Sequence, residues 1–181
     1  KALPVLEVKN LKTYFKTEQG IVKAVNGVDF KINSGETLGL VGESGCGKSV
    51  TVKSVIRIIP SPPGEIVDGN VNYYKREKGK TSKIDLVQLQ PKGKAIRKIR
   101  GNDIAMIFQE PMTAFSPVHT IGNQINEAIL LHQDVSKNKA TEIAINMLDR
   151  VGISSPEERV NEYPHQFSGG MRQRAMIAMA L

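Results

Sequence analysis

One stretch constrains the fold more than any other: Gly42-Glu43-Ser44-Gly45-Cys46-Gly47-Lys48-Ser49, which fits the spacing G-x-x-x-x-G-K-[ST]. Its flanks agree with it. Thr37–Val41 before it reads as a short apolar strand, and Val50–Ile59 after it reads as a helix. Glycines let such a loop turn tightly and bring its N–H groups to a polyphosphate. The following helix points the positive end of its dipole at the same anion. Lys48 has the reach for β- and γ-phosphates, and the Ser49 hydroxyl is a ligand for Mg²⁺. The loop from Gly42 to Val50 is therefore the candidate nucleotide cradle.

The rest of the chain reads around this strand–loop–helix unit. Val5–Lys9 and Ala24–Ile32 alternate apolar and polar residues, so an antiparallel β section over 1–36 precedes the loop strand. The helix after the loop is stopped by Pro60. Asn70–Tyr74 reads as a strand, Lys75–Ser82 as a basic surface loop, Ile84–Leu86 as a short strand and Lys94–Arg100 as a short basic helix. Ile104–Phe108 is a continuous apolar run suited to a strand buried on both faces, with Gln109 at its C-terminal end. Helices are expected from Thr120 to His132, from a Ser136 N-cap to Val151 with Gly152 beyond it, and from a capping box at Ser155–Glu158. Ser168 reads as the N-cap of a last helix over Met171–Leu181. A Ser-Gly-Gly helix start is a second anion site by the same physics as the first. Either both grip one nucleotide, or each grips half of a site completed by another copy.

Composition bounds the class. The 181 residues carry ordinary hydrophobic content of 40% and a net charge of +7, with basic residues concentrated in 75–100. No run of 18 apolar residues offers a helical membrane span, and Lys1–Pro4 lacks a signal-peptide core. The single cysteine, Cys46, rules out an intrachain disulfide and fits a reducing compartment. His119, His132 and His165 have no sequence partner that marks them as catalytic bases.

The order P-loop, apolar strand ending in Gln109, helical segment, then Phe167-Ser168-Gly169-Gly170 resembles the ATP-binding subunit of ABC transporters over essentially the whole chain. Ile107–Met112, Ile99–Ala105 and Tyr163–Arg174 resemble the oligopeptide, dipeptide and nickel importer group within it. The resemblance implies an α/β fold with a P-loop NTPase core, an N-terminal antiparallel β section and a helical insertion subdomain. It divides the chain into 1–36, 37–112 and 113–181, the last facing a membrane permease. It implies ATP and Mg²⁺ as ligands, Phe15 as the ring that stacks on adenine with Tyr14 as its substitute, and Gln109 as the residue that touches Mg²⁺ or attacking water. Glu110–Pro117 then serves as a hinge. Ser168, Gly169 and Gly170 close the site of a second ATPase subunit in a head-to-tail dimer. Phe167 for Leu keeps an apolar anchor; Met171 for Gln removes an amide from the motif.

The implied partners are two permease subunits, a second ATPase that is identical or a paralogue, and indirectly a substrate-binding protein. The implied place is peripheral, on the cytoplasmic face of the membrane. No apolar strand of this chain ends in Asp-Glu, which the family places after the signature helix ahead of a later His. The expectation is therefore the N-terminal part of a longer subunit, marginal in stability and poor in hydrolysis on its own. The rival readings are an ABC-type ATPase acting on nucleic acid or ribosomes, or a non-catalytic nucleotide-sensing module. No long heptad segment interrupts 50–165, which argues against the first.

Overall fold

The structure, a computed structural model, describes residues 4–77, 79–109 and 114–181. The chain packs as two compact units, residues 1–97 and 98–181.

The first unit is built on a four-stranded antiparallel sheet. Strands β1 (Pro4–Thr17), β2 (Gly20–Asn33), β3 (Gly64–Glu77) and β4 (Lys80–Asp85) lie in the order β2-β1-β3-β4. β1 and β2 form a hairpin that closes at Thr17–Gly20, and β3 adds to the other edge of β1 with Leu6 opposite Tyr73 and Phe15 opposite Gly64. Alternation puts Leu11 and Thr13 on the buried side, with Val8, Val25 and Val71 also buried. Helix α1 (Lys48–Val55) carries buried Thr51, Ser54 and Val55. One polar contact fixes how α1 meets the sheet. Ser54 Oγ donates to the Val50 carbonyl at 2.7 Å, which leaves its oxygen to accept from the Thr13 hydroxyl at 2.9 Å, with both residues buried. After α1, the Arg57 guanidinium donates to the carbonyls of Leu86 and Val87, tying the helix end to the 3₁₀ turn Leu86–Gln88. On the open side of the sheet Asp68 accepts from Lys12 Nζ at 2.8 Å and Asn10 Nδ2 at 2.9 Å. The Lys12 bond is the main reason its carboxyl sits below the usual range.

The second unit is helical. α3 (Ile121–His132), α4 (Lys137–Arg150), the short α5 (Pro156–Arg159) and α6 (Gly169–Ala180) follow the six-residue helix α2 (Lys94–Ile99). Their core is Phe115, Ile121, Ile125, Ile129, Ala140, Ala144, Leu148, Ile153, Val160, Phe167, Ala175, Met176 and Ala178. Each long apolar side chain buried here contributes about 1.5–3 kcal/mol. Gly122 lets α3 press against the chain at Val160, where a Cβ would meet the Val160 carbonyl oxygen at 2.6 Å.

Several sequence expectations hold. Ser136 and Ser168 each accept a hydrogen bond from the third residue of the helix they cap, and Gly152 stands just past α4 with φ +76°. Thr120, expected as the first residue of its helix, is instead the N-cap of α3. Others need correction. Thr37–Val41 is not a strand: it joins no ladder, and Leu38, Leu40 and Val41 are exposed. Ile104–Phe108 makes only one parallel bridge, Arg100 with Ile104, and Ile107 and Phe108 are exposed rather than buried on both faces. Both are apolar enough for a central parallel strand, but a strand exists only through its neighbours, and none among the described residues supplies them. The expected loop Lys75–Ser82 is paired instead: Lys75, Arg76 and Glu77 of β3 lie opposite Ser82, Thr81 and Lys80 of β4. Helix α1 begins earlier, at Lys48, and ends at Val55 rather than Ile59. α6 begins at Gly169 rather than Met171. There is no capping box at Ser155: the residue is left-handed at φ +50°, and its carbonyl rather than its hydroxyl receives the Glu158 N–H.

If the Thr13–Ser54 contact seats α1, Ser54→Ala should cost about 1–2 kcal/mol by urea unfolding, because it leaves a buried hydroxyl without its acceptor. Thr13→Val in the same background should recover part of that loss. An unchanged unfolding midpoint in Ser54→Ala would remove this contact from the account.

Candidate functional site

The phosphate loop is set by two backbone requirements. Gly45 and Gly47 both stand at positive φ, +82° and +91°. Gly47 also lies directly on β2, where a Cβ would come within 2.2 Å of the Ala24 carbonyl oxygen. Any other residue there would be strained in the backbone and would clash with a strand. Thr51 completes the fold-back, donating through both its N–H, at 2.8 Å, and its hydroxyl, at 3.0 Å, to the Gly47 carbonyl.

The consequence is a helix start with no cap of its own. Gly47 is the N-cap of α1 and has no side chain to accept from the first turn. The N–H groups of a first helical turn have no intrahelical acceptor. In α3, α4 and α6 a Thr or Ser hydroxyl takes one of them; in α1 no side chain caps them, an arrangement that suits an external anion. Lys48 is half-buried, and its ammonium donates to the carbonyls of Gly42 at 2.6 Å and Glu43 at 2.5 Å. The loop thereby curls around its own cation, and the Cys46 N–H closes the turn on the Glu43 carbonyl at 3.4 Å. Ser44, Cys46 and Ser49 are exposed and Val50 is half-buried. Cys46 Sγ stands 3.5 Å from Lys48 Nζ.

Phe15 lies in the same unit. Its half-buried ring packs over Gly64, where a Cβ would meet Phe15 Cε1 at 2.8 Å. Tyr14 is committed elsewhere: its hydroxyl donates to Asn26 Oδ1 at 2.8 Å, and Lys23 sits 5.7 Å from its ring centre. Of the two rings, Phe15 is therefore the one without a polar tether.

The second unit holds Gln109 and the Ser168-Gly169-Gly170 start of α6. Gln109 is exposed, and the expected hinge that follows it lies outside the described residues at 110–113. Ser168 Oγ accepts from the Met171 N–H at 3.3 Å. Gly169 and Gly170 have no positive φ, and a Cβ on either would meet nothing within 4 Å. Glycine weakens a helix by up to about 1 kcal/mol against alanine. Among the described residues nothing asks for it at these positions. The signature and the P-loop thus differ in kind: Gly47 is required by its own fold, Gly169 and Gly170 are not.

Sequence reasoning missed Ala24 and Val25, the stretch of β2 on which Gly47 rests. That contact is made by backbone, so no side chain announces it. Among the described residues no group of three or more His, Cys, Asp or Glu is placed to hold a metal. Among the described residues no helix is long and apolar enough to cross a membrane.

Comparison with known proteins gives a consistent picture. A family model described as "ABC transporter" matches residues 25–181. The chain is 51% identical over 181 residues to a probable peptide ABC transporter ATP-binding protein of Sinorhizobium fredii, covering all of this chain and 51% of the relative. It is 48% identical over 177 residues to the oligopeptide transport ATP-binding protein OppD of Bacillus subtilis, covering 98% of this chain and 47% of that protein. The chain spans about half the length of the curated relatives it matches. Among solved structures, a dimeric ATP-binding cassette in a post-hydrolysis state with ADP and Pi aligns with a TM-score of 0.76 at 23% identity, covering 97% of this chain and 68% of that one. At that identity the likeness speaks for the fold.

The position of Cys46 generates a test. Full alkylation should weaken ATP binding at least about tenfold, or 1.4 kcal/mol, by filling the loop beside Lys48, while Cys46→Ser should bind as the unmodified protein does. Unchanged binding after complete modification, followed by mass spectrometry, would show that the loop opens away from the thiol.

Proposed function

The chain belongs to the ABC transporter family, and on that premise we propose that it is the nucleotide-gripping part of an ATPase subunit that powers peptide import. The single observation that carries this reading is the uncapped start of α1, with Lys48 curled into the loop ahead of it. In the proposed complex the Lys48 ammonium leaves the loop carbonyls for the β- and γ-phosphates of ATP. The N–H groups at the start of α1 hold the same oxygens. Phosphoryl transfer relies chiefly on such positioning and charge stabilisation, and these residues supply both on the nucleotide side. The Phe15 ring offers its face to adenine. Mg²⁺ would be held on this loop by the exposed Ser49 hydroxyl. A cation that binds through one or two protein oxygens together with phosphates and waters needs no larger donor set, and when bound it neutralises phosphate charge.

Ser168, Gly169 and Gly170 act on a second subunit. The open space above Gly169 and Gly170 supports a close approach by a phosphate held in the opposite P-loop. Two such subunits in head-to-tail array then enclose two nucleotides, and their closing and reopening moves a pair of permease subunits through which peptide passes. A substrate-binding protein delivers the peptide from the far side. The ATPase pair works at the cytoplasmic face of the membrane. Peptide as cargo rests on the relatives' names and on the motif variants, not on any feature of this chain that could touch a peptide.

The test uses the full-length subunit with its permease and partner in vesicles. Lys48→Ala should abolish ATP-dependent peptide uptake and cut ATP turnover by about 10²-fold or more, the scale of losing one charge-stabilising group. Gly169→Ala should leave or raise the melting temperature, yet lower turnover at least about tenfold, 1.4 kcal/mol, because the added methyl stands in the partner's way. Full turnover in Gly169→Ala would remove the shared-site arrangement, and turnover without stimulation by any peptide would remove the cargo.

A further inference from the structure

Gly64 opens β3 at the point where that strand lies opposite Phe15 of β1. It is buried, and its φ lies outside the left-handed region that would itself call for glycine. A contact calls for it instead. A Cβ at this position would stand 2.8 Å from Phe15 Cε1, 3.2 Å from Phe15 Cδ1 and 2.8 Å from the Pro60 carbonyl oxygen. Directly opposed residues of an antiparallel pair point to the same face of the sheet. The Cδ1–Cε1 edge of the ring therefore fills the space that a side chain at 64 would take.

Main chain closes the other side of this slot. The Gly64 N–H donates to the Pro60 carbonyl at 2.8 Å, and the Lys16 N–H donates to the Pro63 carbonyl at 3.0 Å. The turn 60–64 is thus fixed to itself and to the residue after Phe15. Of the two walls, the Pro60 carbonyl is held by its hydrogen bond, whereas the ring is a side chain that can rotate. On its far flank Phe15 is paired with Val22 of β2, which is exposed, as is its neighbour Ile21. Val22 stands two residues, about 7 Å of strand, from Ala24, whose carbonyl Gly47 approaches. Ring and phosphate loop are therefore placed along the same strand. Their spacing is on the scale of the ribose and α-phosphate that separate a base from its outer phosphates.

A ring laid across a strand glycine commonly serves the sheet alone, restoring contacts that glycine lacks. That accounts for the ring over Gly64, but it does not call for a ring left half-buried beside exposed Val22 and Ile21. We propose that Gly64 is a positioning residue for the nucleotide base: by lacking a Cβ it seats the Phe15 ring in the orientation that meets adenine. This rests on the reading that Phe15 stacks on adenine. Gly64 itself touches no nucleotide. With a methyl group at 64 the ring swings off its seat, and the base loses its platform while the phosphate loop keeps its geometry. The effect falls on any ligand that carries a base, because stacking on an aromatic ring is tolerant of base identity.

The experiment is calorimetric titration of the full-length subunit with Mg-ATP and with Mg-tripolyphosphate, which has the phosphates without the base. Gly64→Ala should bind Mg-ATP at least about fivefold more weakly, the lower end of the range for one stacked base. Its affinity for Mg-tripolyphosphate should stay within about twofold of the parent. In a Phe15→Ala background, adding Gly64→Ala should change Mg-ATP affinity by less than about twofold, because both act through one ring. A glycine needed only for the turn would weaken both ligands together or neither. Because Gly64→Ala also crowds the Pro60 carbonyl, the parent is read directly as well. With phenylalanine and glycine selectively labelled, a nuclear Overhauser contact between the Phe15 ring and the Gly64 α-protons should be present without nucleotide and persist with Mg-ATP. The proposal is overturned if Gly64→Ala binds Mg-ATP as the parent does, if tripolyphosphate binding falls as far as ATP binding, if the effect persists without the Phe15 ring, or if Mg-ATP draws the ring off Gly64. Undiminished ATP binding in Phe15→Ala removes the adenine reading itself. Loss in Phe15→Ala with none in Gly64→Ala removes the role of Gly64 alone.

Discussion

The close approach of Gly47 to the Ala24 carbonyl is the contact on which the phosphate loop depends. It brings the loop onto β2 at van der Waals distance and forces a residue without Cβ at the helix start. That residue in turn cannot cap the helix. A glycine in place of a capping side chain is normally a small loss of stability, about a few tenths of a kcal/mol. Here it leaves N–H groups and a positive helix end pointed at one place, with Lys48 coiled beside them. The packing of backbone on backbone and the anion site are thus one feature. The Thr13–Ser54 hydrogen bond holds the other side of α1 to β1, so the helix that aims the site is fixed at both the loop and the sheet.

The two glycine-bearing helix starts present their first turns differently. α1 has a glycine at its N-cap and offers its first turn outward. α6 has Ser168 at its N-cap, which takes one N–H for itself, and follows it with two glycines that leave the surface bare. The first arrangement suits enclosing an anion, the second suits being approached by one. The proposed site, divided between two subunits, would use one of each.

Much of this was legible in the sequence where the cause is local. The P-loop spacing, the N-caps at Ser136 and Ser168, and the three-and-four periodicity of α3 and α4 depend on neighbours within a turn or two. Where the cause is distant the reading strayed. Thr37–Val41 and Ile104–Phe108 have strand composition, yet composition does not supply a ladder partner, and these apolar segments stand exposed. The 75–83 stretch has hairpin pairing although its lysines and glycine hide the pattern, because β3 acts as its template. Ser155 carries capping-box residues but a left-handed backbone, a conformation that no spacing rule foretells. The seat of Gly47 on β2 was invisible for the plainest reason, since main chain has no letter in the sequence.

The central claim is that the uncapped start of α1 and Lys48 together hold the phosphates of ATP. Calorimetric titration of the full-length subunit with Mg-ATP, beside Lys48→Ala and Phe15→Ala, tests it most directly. The account predicts saturable binding that is lost in Lys48→Ala and weakened in Phe15→Ala by about 1–3 kcal/mol, the range for base stacking on an aromatic ring. Undiminished binding in Lys48→Ala would contradict it, because the anion would then be held by groups other than those this loop assembles.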